Sequence, residues 1–151
     1  MMARRLSSLA LVALLAGGAV TLRADSIPVI RGAIGGIELC PQSICGAAIF
    51  VGAFAGQVGP RLSIGSFAVV ATHEDLPAPE ETSAITGGAW QIKVPYATID
   101  GSVAGGSLYN NGNNTFHVTV NMVFGGGSLV FNGLLNHNTF PPTLTGQITQ
   151  H

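Results

Sequence analysis

From Thr115 to Phe124, Phe116, Val118, Val120, Met122 and Phe124 alternate with Thr115, His117, Thr119 and Asn121. A period of two is that of an extended strand with one face buried and the other wet; a helix would need apolar residues three and four apart. Downstream of residue 24 no segment sustains the helical period. Short runs rich in β-branched and aromatic residues recur instead between clusters of Gly, Pro and Asn. This is an all-β signature. It predicts eight strands: Pro28 to Leu39, Ala47 to Val58, Leu62 to His73, Ala84 to Val94, Ala97 to Tyr109, Thr115 to Phe124, Ser128 to Asn136 and Thr143 to Gln150.

The connections between these strands are too short for parallel crossovers. Gly59-Pro60-Arg61, Asn110 to Asn114, Gly125-Gly126-Gly127 and the segment ending in Pro141-Pro142 carry turn chemistry, so sequential strands pair antiparallel as a meander. Glycines also fall inside or beside the strands, doubled at Gly35-Gly36, Gly87-Gly88 and Gly105-Gly106. Glycine weakens a flat strand, so its repeated use points to bulges, strong coiling or close backbone approach. A small up-and-down barrel needs these devices most; a β-sandwich, which also turns corners at glycine, is the alternative.

One strand breaks the inside-outside rule. Between Ala47 and Val58 one alternate set is Ala48, Phe50, Gly52, Phe54, Gly56 and Val58, and the other holds Ile49, Val51, Ala53 and Ala55. Both faces are apolar, which calls either for cover on the outside or for an exposed patch of small apolar residues. In the other strands the aromatics find natural core positions: Trp90 shares a face with Ile92 and Val94, and Leu129, Phe131 and Leu135 should face the same interior as Phe116 to Phe124.

The N-terminal residues read differently. Arg4 and Arg5 precede an apolar and small-residue run from Leu6 to Val20, the pattern of a secretory signal peptide, with cleavage expected after Ala24 and Ala19 as a second site. The run is short for a membrane-spanning helix. Residues 1–24 are therefore assigned to the signal and 25–151 to a single β domain, secreted or periplasmic. The first cysteine, Cys40, lies far past the cleavage site, which argues against a lipid anchor. The surroundings of Arg4-Arg5 match the twin-arginine export signal poorly, which favours export of the unfolded chain.

Within residues 25–151 the charges are few: Asp25, Glu38, Glu74, Asp75, Glu80, Glu81 and Asp100 against Arg31, Arg61 and Lys93. With so few bases and no basic stripe, nucleic acid is not expected as a partner. Cys40 and Cys45, the two cysteines of the chain, enclose Pro41-Gln42-Ser43-Ile44, and in an oxidising compartment they are expected to form a local disulfide. Four intervening residues do not fit a redox motif, and no second ligand pair completes a zinc site.

The remaining chemistry-bearing residues are scattered. His73-Glu74-Asp75 opens an acidic, proline-containing loop to Ser83 whose acids do not follow calcium or zinc spacing, so a solvated loop is expected rather than a metal site. His73, His117 and His137 could act as bases or ligands only if the fold gathered them; solvent-exposed or turn positions are expected instead. No nucleophile elbow, zinc-protease helix or phosphate loop is present, and the carboxylates of Glu38 and Asp100 have nothing in the sequence to pair them. Gly88-Ala89-Trp90 is similar to the Gly-x-Trp of lipocalin barrels, but there it opens the first strand, and three residues imply no function. Asn113-Asn114-Thr115 matches a glycosylation acceptor and equally a hairpin turn.

No catalytic residues, cofactor or metal ligands are therefore assigned. The preferred expectation is an exported, non-enzymatic barrel that binds a small apolar ligand in its interior or mouth. The alternatives are a cell-surface or self-associating structural protein, a homo-oligomer in that case, and a minimal outer-membrane barrel, for which eight strands is the smallest design.

Overall fold

The structure, a computed structural model, describes residues 29–151. The expected signal peptide at 1–24 lies outside the described residues, as does the start of the predicted first strand. Eight strands follow: β1 (Ile30–Cys40), β2 (Ala48–Val58), β3 (Arg61–His73), β4 (Thr82–Val94), β5 (Ala97–Asn110), β6 (Thr115–Phe124), β7 (Gly127–Asn136) and β8 (Thr143–Gln150). Each pairs antiparallel with the next, and β8 returns to β1, from Gly32 opposite Ile148 to Ile37 opposite Thr143, so the sheet closes into a barrel. Closure decides against the sandwich. It also leaves no free sheet edge.

One turn of helix, α1 (Gln42–Cys45), was not foreseen between the first two strands. Pro41 stands at its start with φ −74°, and Gly46 ends it in the left-handed region at φ 76°, where its N–H donates to the Gln42 carbonyl at 2.8 Å. The expected disulfide joins Cys40 to Cys45 across this turn, with the Cα atoms 6.1 Å apart.

Alternation places the predicted apolar sets inside. Phe116, Val118, Val120, Met122, Leu129, Phe131 and Leu135 are buried, with Phe124 packed against them. Trp90, Ile92 and Val94 are buried as well, and the Trp90 indole N–H donates to the Val123 carbonyl at 3.2 Å. Two glycine positions show why the strands need them. Gly36 on β1 faces Gly52 on β2, and a Cβ on Gly36 would lie 2.3 Å from the Val51 carbonyl oxygen, so only bare backbone fits this tightly coiled pair. On β7 and β8 the facing pair Gly133 and Gly146 opens a bed for the Phe131 ring, whose atoms would sit 2.4 Å and 2.6 Å from added Cβ atoms.

The interior is filled unevenly. Most of the most deeply buried side chains, Ile30, Val58, Ile92, Leu129 and Ile148 among them, come from the strand ends at one rim, here called the base. Tyr96 closes that rim: its hydroxyl donates to the Val58 carbonyl at 3.0 Å and accepts from Ser63 at 2.8 Å, with Arg61 stacked 5.1 Å from the ring centroid. Toward the opposite rim, the mouth, the inward residues of β2 and β3 shrink to Ala48 and Ala71.

Outside, the barrel has two halves. Outward positions of β6 to β8 carry Thr119, Asn121, Asn132, Thr145 and Gln147, whereas those of β1 to β3 carry Ala33, Ile37, Ile49, Val51, Ala53, Ala55, Ile64, Ala68 and Val70. An outer-membrane barrel needs an apolar belt all round and a polar lumen. This barrel has an apolar interior and a mostly polar outer face on β6 to β8, where Val123, Val130 and Leu134 are the outward apolar residues, an arrangement unlike that pattern.

Candidate functional site

The mouth gathers most of the polar residues that the sequence scatters. Glu38 is an inward position near the end of β1, displaced by the β1–β2 register shift between Glu38 and Cys40. Its side chain is only 7% exposed, and His137 stands beside it, with Nε2 3.5 Å from Oε2. That separation is an ion-pair distance rather than a hydrogen bond. His137 follows β7; its N–H donates to the Asn114 carbonyl at 2.9 Å, its ring leans on Phe116 with centroids 5.2 Å apart, and its buried Nε2 has no hydrogen-bond partner.

His73, the last residue of β3, completes the cluster. The Gln42 side chain pairs with its backbone as a neighbouring strand would: Nε2 donates to the His73 carbonyl and Oε1 accepts from the His73 N–H, both at 2.7 Å. This clamp fixes α1 beside the end of β3. The His73 ring nitrogen Nδ1 meets the Glu74 carbonyl, and the Glu74 carboxylate accepts from the Ala84 N–H at 3.2 Å. Burial drives the Glu38 carboxyl above the ordinary range, because leaving water penalises the ionised form; the positive charges that His137 and His73 can carry work against this and lower it.

Two voids meet here. A hollow of about 380 Å³ is lined by Glu38, Gln42, His73, Glu74, Asp75 and His137, with Leu108 and Leu135 at its floor. Beneath it lies a cavity of about 40 Å³ with an apolar lining that includes Ala48, Phe67, Ala71, Ile85 and Leu144. His73 and Leu108 border both. A water needs roughly 10–15 Å³, so the lower cavity has room for about three or four non-hydrogen atoms, far from the volume of a large lipid. Ser83, also inward and opposite Leu108 in register, has a buried hydroxyl without a partner.

The other arrangements that the sequence left conceivable do not form, although His73 and His137, expected at exposed or turn positions, do come together at the mouth. His117 is exposed on the outer face of β6 opposite Leu134, so only two of the three histidines converge. Asp100 is exposed near the base end of β5 while Glu38 is buried at the mouth, which rules out a working carboxylate pair. Among the described residues no group of three or more His, Cys, Asp or Glu side chains is arranged to hold a metal ion. Asn113 turns its side chain back on its own hairpin, accepting from the Thr115 hydroxyl at 2.5 Å. The inward Glu38 is the residue that sequence reading undervalued; its signal was a carboxylate placed in phase with Ile30 and Ile34. Comparison with protein-family models, curated proteins and solved structures finds no match.

Proposed function

We propose that the protein is an exported, non-enzymatic barrel that binds a small amphiphile at its mouth, with a short apolar tail in the lower cavity and a hydrogen-bond-donating or cationic head in the hollow above. One observation carries this reading: an acidic hollow and an apolar cavity adjoin, with His73 and Leu108 in the lining of both, on a barrel packed shut at its base. Glu38, Glu74 and Asp75 favour an ammonium over a carboxylate head, and the size of the cavity limits the tail to about four carbons. The clamp between Gln42 and His73 holds the rim in place before a ligand arrives, which lowers the ordering cost of binding. The disulfide and the N-terminal arginine and apolar segments support export.

Calorimetric titration with butylamine, butanol and butyrate tests the reading. Butylamine should bind most tightly and butyrate not at all; equal affinity for all three would remove the acidic mouth from the account. Replacement of the buried Ala71 by Phe, which fills the cavity without touching the hollow, should abolish binding of the amine.

A further inference from the structure

We infer that the apolar outer face of β1 to β3 is a self-association surface, on which a second copy of this chain packs with its barrel reversed. Cross-strand register gathers the residues into rows: Ala33, Ala55 and Ile64; then Gly35, Ala53 and Ser66; then Ile37, Val51 and Ala68; and Ile49 with Val70 toward the mouth. No charged side chain lies within these rows, and Lys93, opposite Ser66 on β4, borders them. Ala53, Ala55 and Ser66 are exposed, and Ile64 is 75% exposed. Because the barrel is closed, a partner cannot add a strand and has to meet the face itself.

The charges choose the occupant and its direction. Glu38, Glu74, Asp75, Glu80 and Glu81 all belong to the mouth end, whereas Arg31, Arg61 and Lys93 all belong to the base end, accompanied there by Asp100. A two-fold axis lying in the plane of the interface and perpendicular to the barrel axis turns one barrel end over end, so the base of each copy lies beside the mouth of the other. Arg31 and Arg61, at the foot of β1 and β3, then approach the Glu74 and Asp75 loop at the top of the partner's β3. Side-by-side packing in the same direction would instead set five carboxylates against five. A second copy thus supplies both the matching apolar rows and the complementary charge, as isologous contacts require. Three strands of about ten residues outline on the order of 500 Å². That is below the roughly 800 Å² of a standard interface, so the dimer is weak and reversible, in the micromolar range.

Sedimentation velocity from about 1 µM to 1 mM should show a monomer passing to a dimer. Ala53→Glu sets two carboxylates against each other near the axis and should weaken the dimer on the order of a hundredfold, as should Ile64→Lys; Asn132→Glu on the polar half should change nothing. Air oxidation should cross-link Ser66→Cys, central on the face, to itself, while Leu62→Cys, near the base, should stay unlinked because its counterpart is at the far end. A monomer at every concentration would overturn the inference, as would a dimer indifferent to both face variants, self-linking of Leu62→Cys, or monomers that instead adsorb to lipid vesicles through this face.

Discussion

Phe131 shows how much one residue can carry. Its ring is 2% exposed and rests on the glycine pair Gly133 and Gly146, where a Cβ on either residue would collide with it. Phe131→Ala should therefore lower unfolding free energy by about 3–5 kcal/mol in denaturant titration, the cost of a buried aromatic whose surroundings cannot collapse. A loss below about 0.5 kcal/mol, typical of surface changes, would mean that the residue does not face the interior. Glu38 makes the opposite case. Its carboxyl is raised in the folded barrel, so the fold holds its proton more tightly than the unfolded chain does. Stability from this group is present at low pH and is lost as pH rises from the ordinary carboxylate value through the raised one. Glu38→Gln should flatten that part of the pH profile and leave the protein more stable than wild type at neutral pH, when urea midpoints are compared across the range. The groups facing it, His137 and His73 with Glu74 and Asp75 at the rim, remain in place in that comparison.

At the level of elements, the strands were legible because alternation and turn residues act locally. Thr115–Phe124 and Thr143–Gln150 have the predicted boundaries, and the both-faced reading of β2 describes its inward and outward sets correctly. The short helix was not legible, since Gln42–Cys45 is too brief to show a period and is fixed by Pro41, Gly46 and the disulfide around it. Nor was the mouth. Glu38, His73 and His137 lie on β1, β3 and the segment after β7, and only closure of the sheet brings them together. The disulfide closes a short loop and should contribute roughly 2 kcal/mol. Replacing both cysteines by serine should lower the thermal midpoint by that equivalent while far-ultraviolet circular dichroism keeps its β signature, because the register of β1 and β2 does not depend on it. The same variant should weaken amine binding, since α1 would then hold the rim through Gln42 alone.

The whole molecule is polar in two senses: packed base against open mouth, and basic end against acidic end. Both follow from where side chains of different size and charge fall on an otherwise regular closed sheet, which is why alternation and turn chemistry could indicate a barrel but not which end was open. In the function proposed above, the apolar interior takes the tail of the ligand and the few mouth carboxylates take its head. The most direct test is a ¹H–¹⁵N and methyl NMR titration of the intact barrel with butylamine. Shifts should concentrate at Ala48, Ala71, Leu108 and Leu144 together with Glu38 and His137, saturate, and disappear in Ala71→Phe. Shifts confined to the outer face of β1 to β3, or none at the cavity-lining methyls at saturating amine, would contradict a ligand site at the mouth.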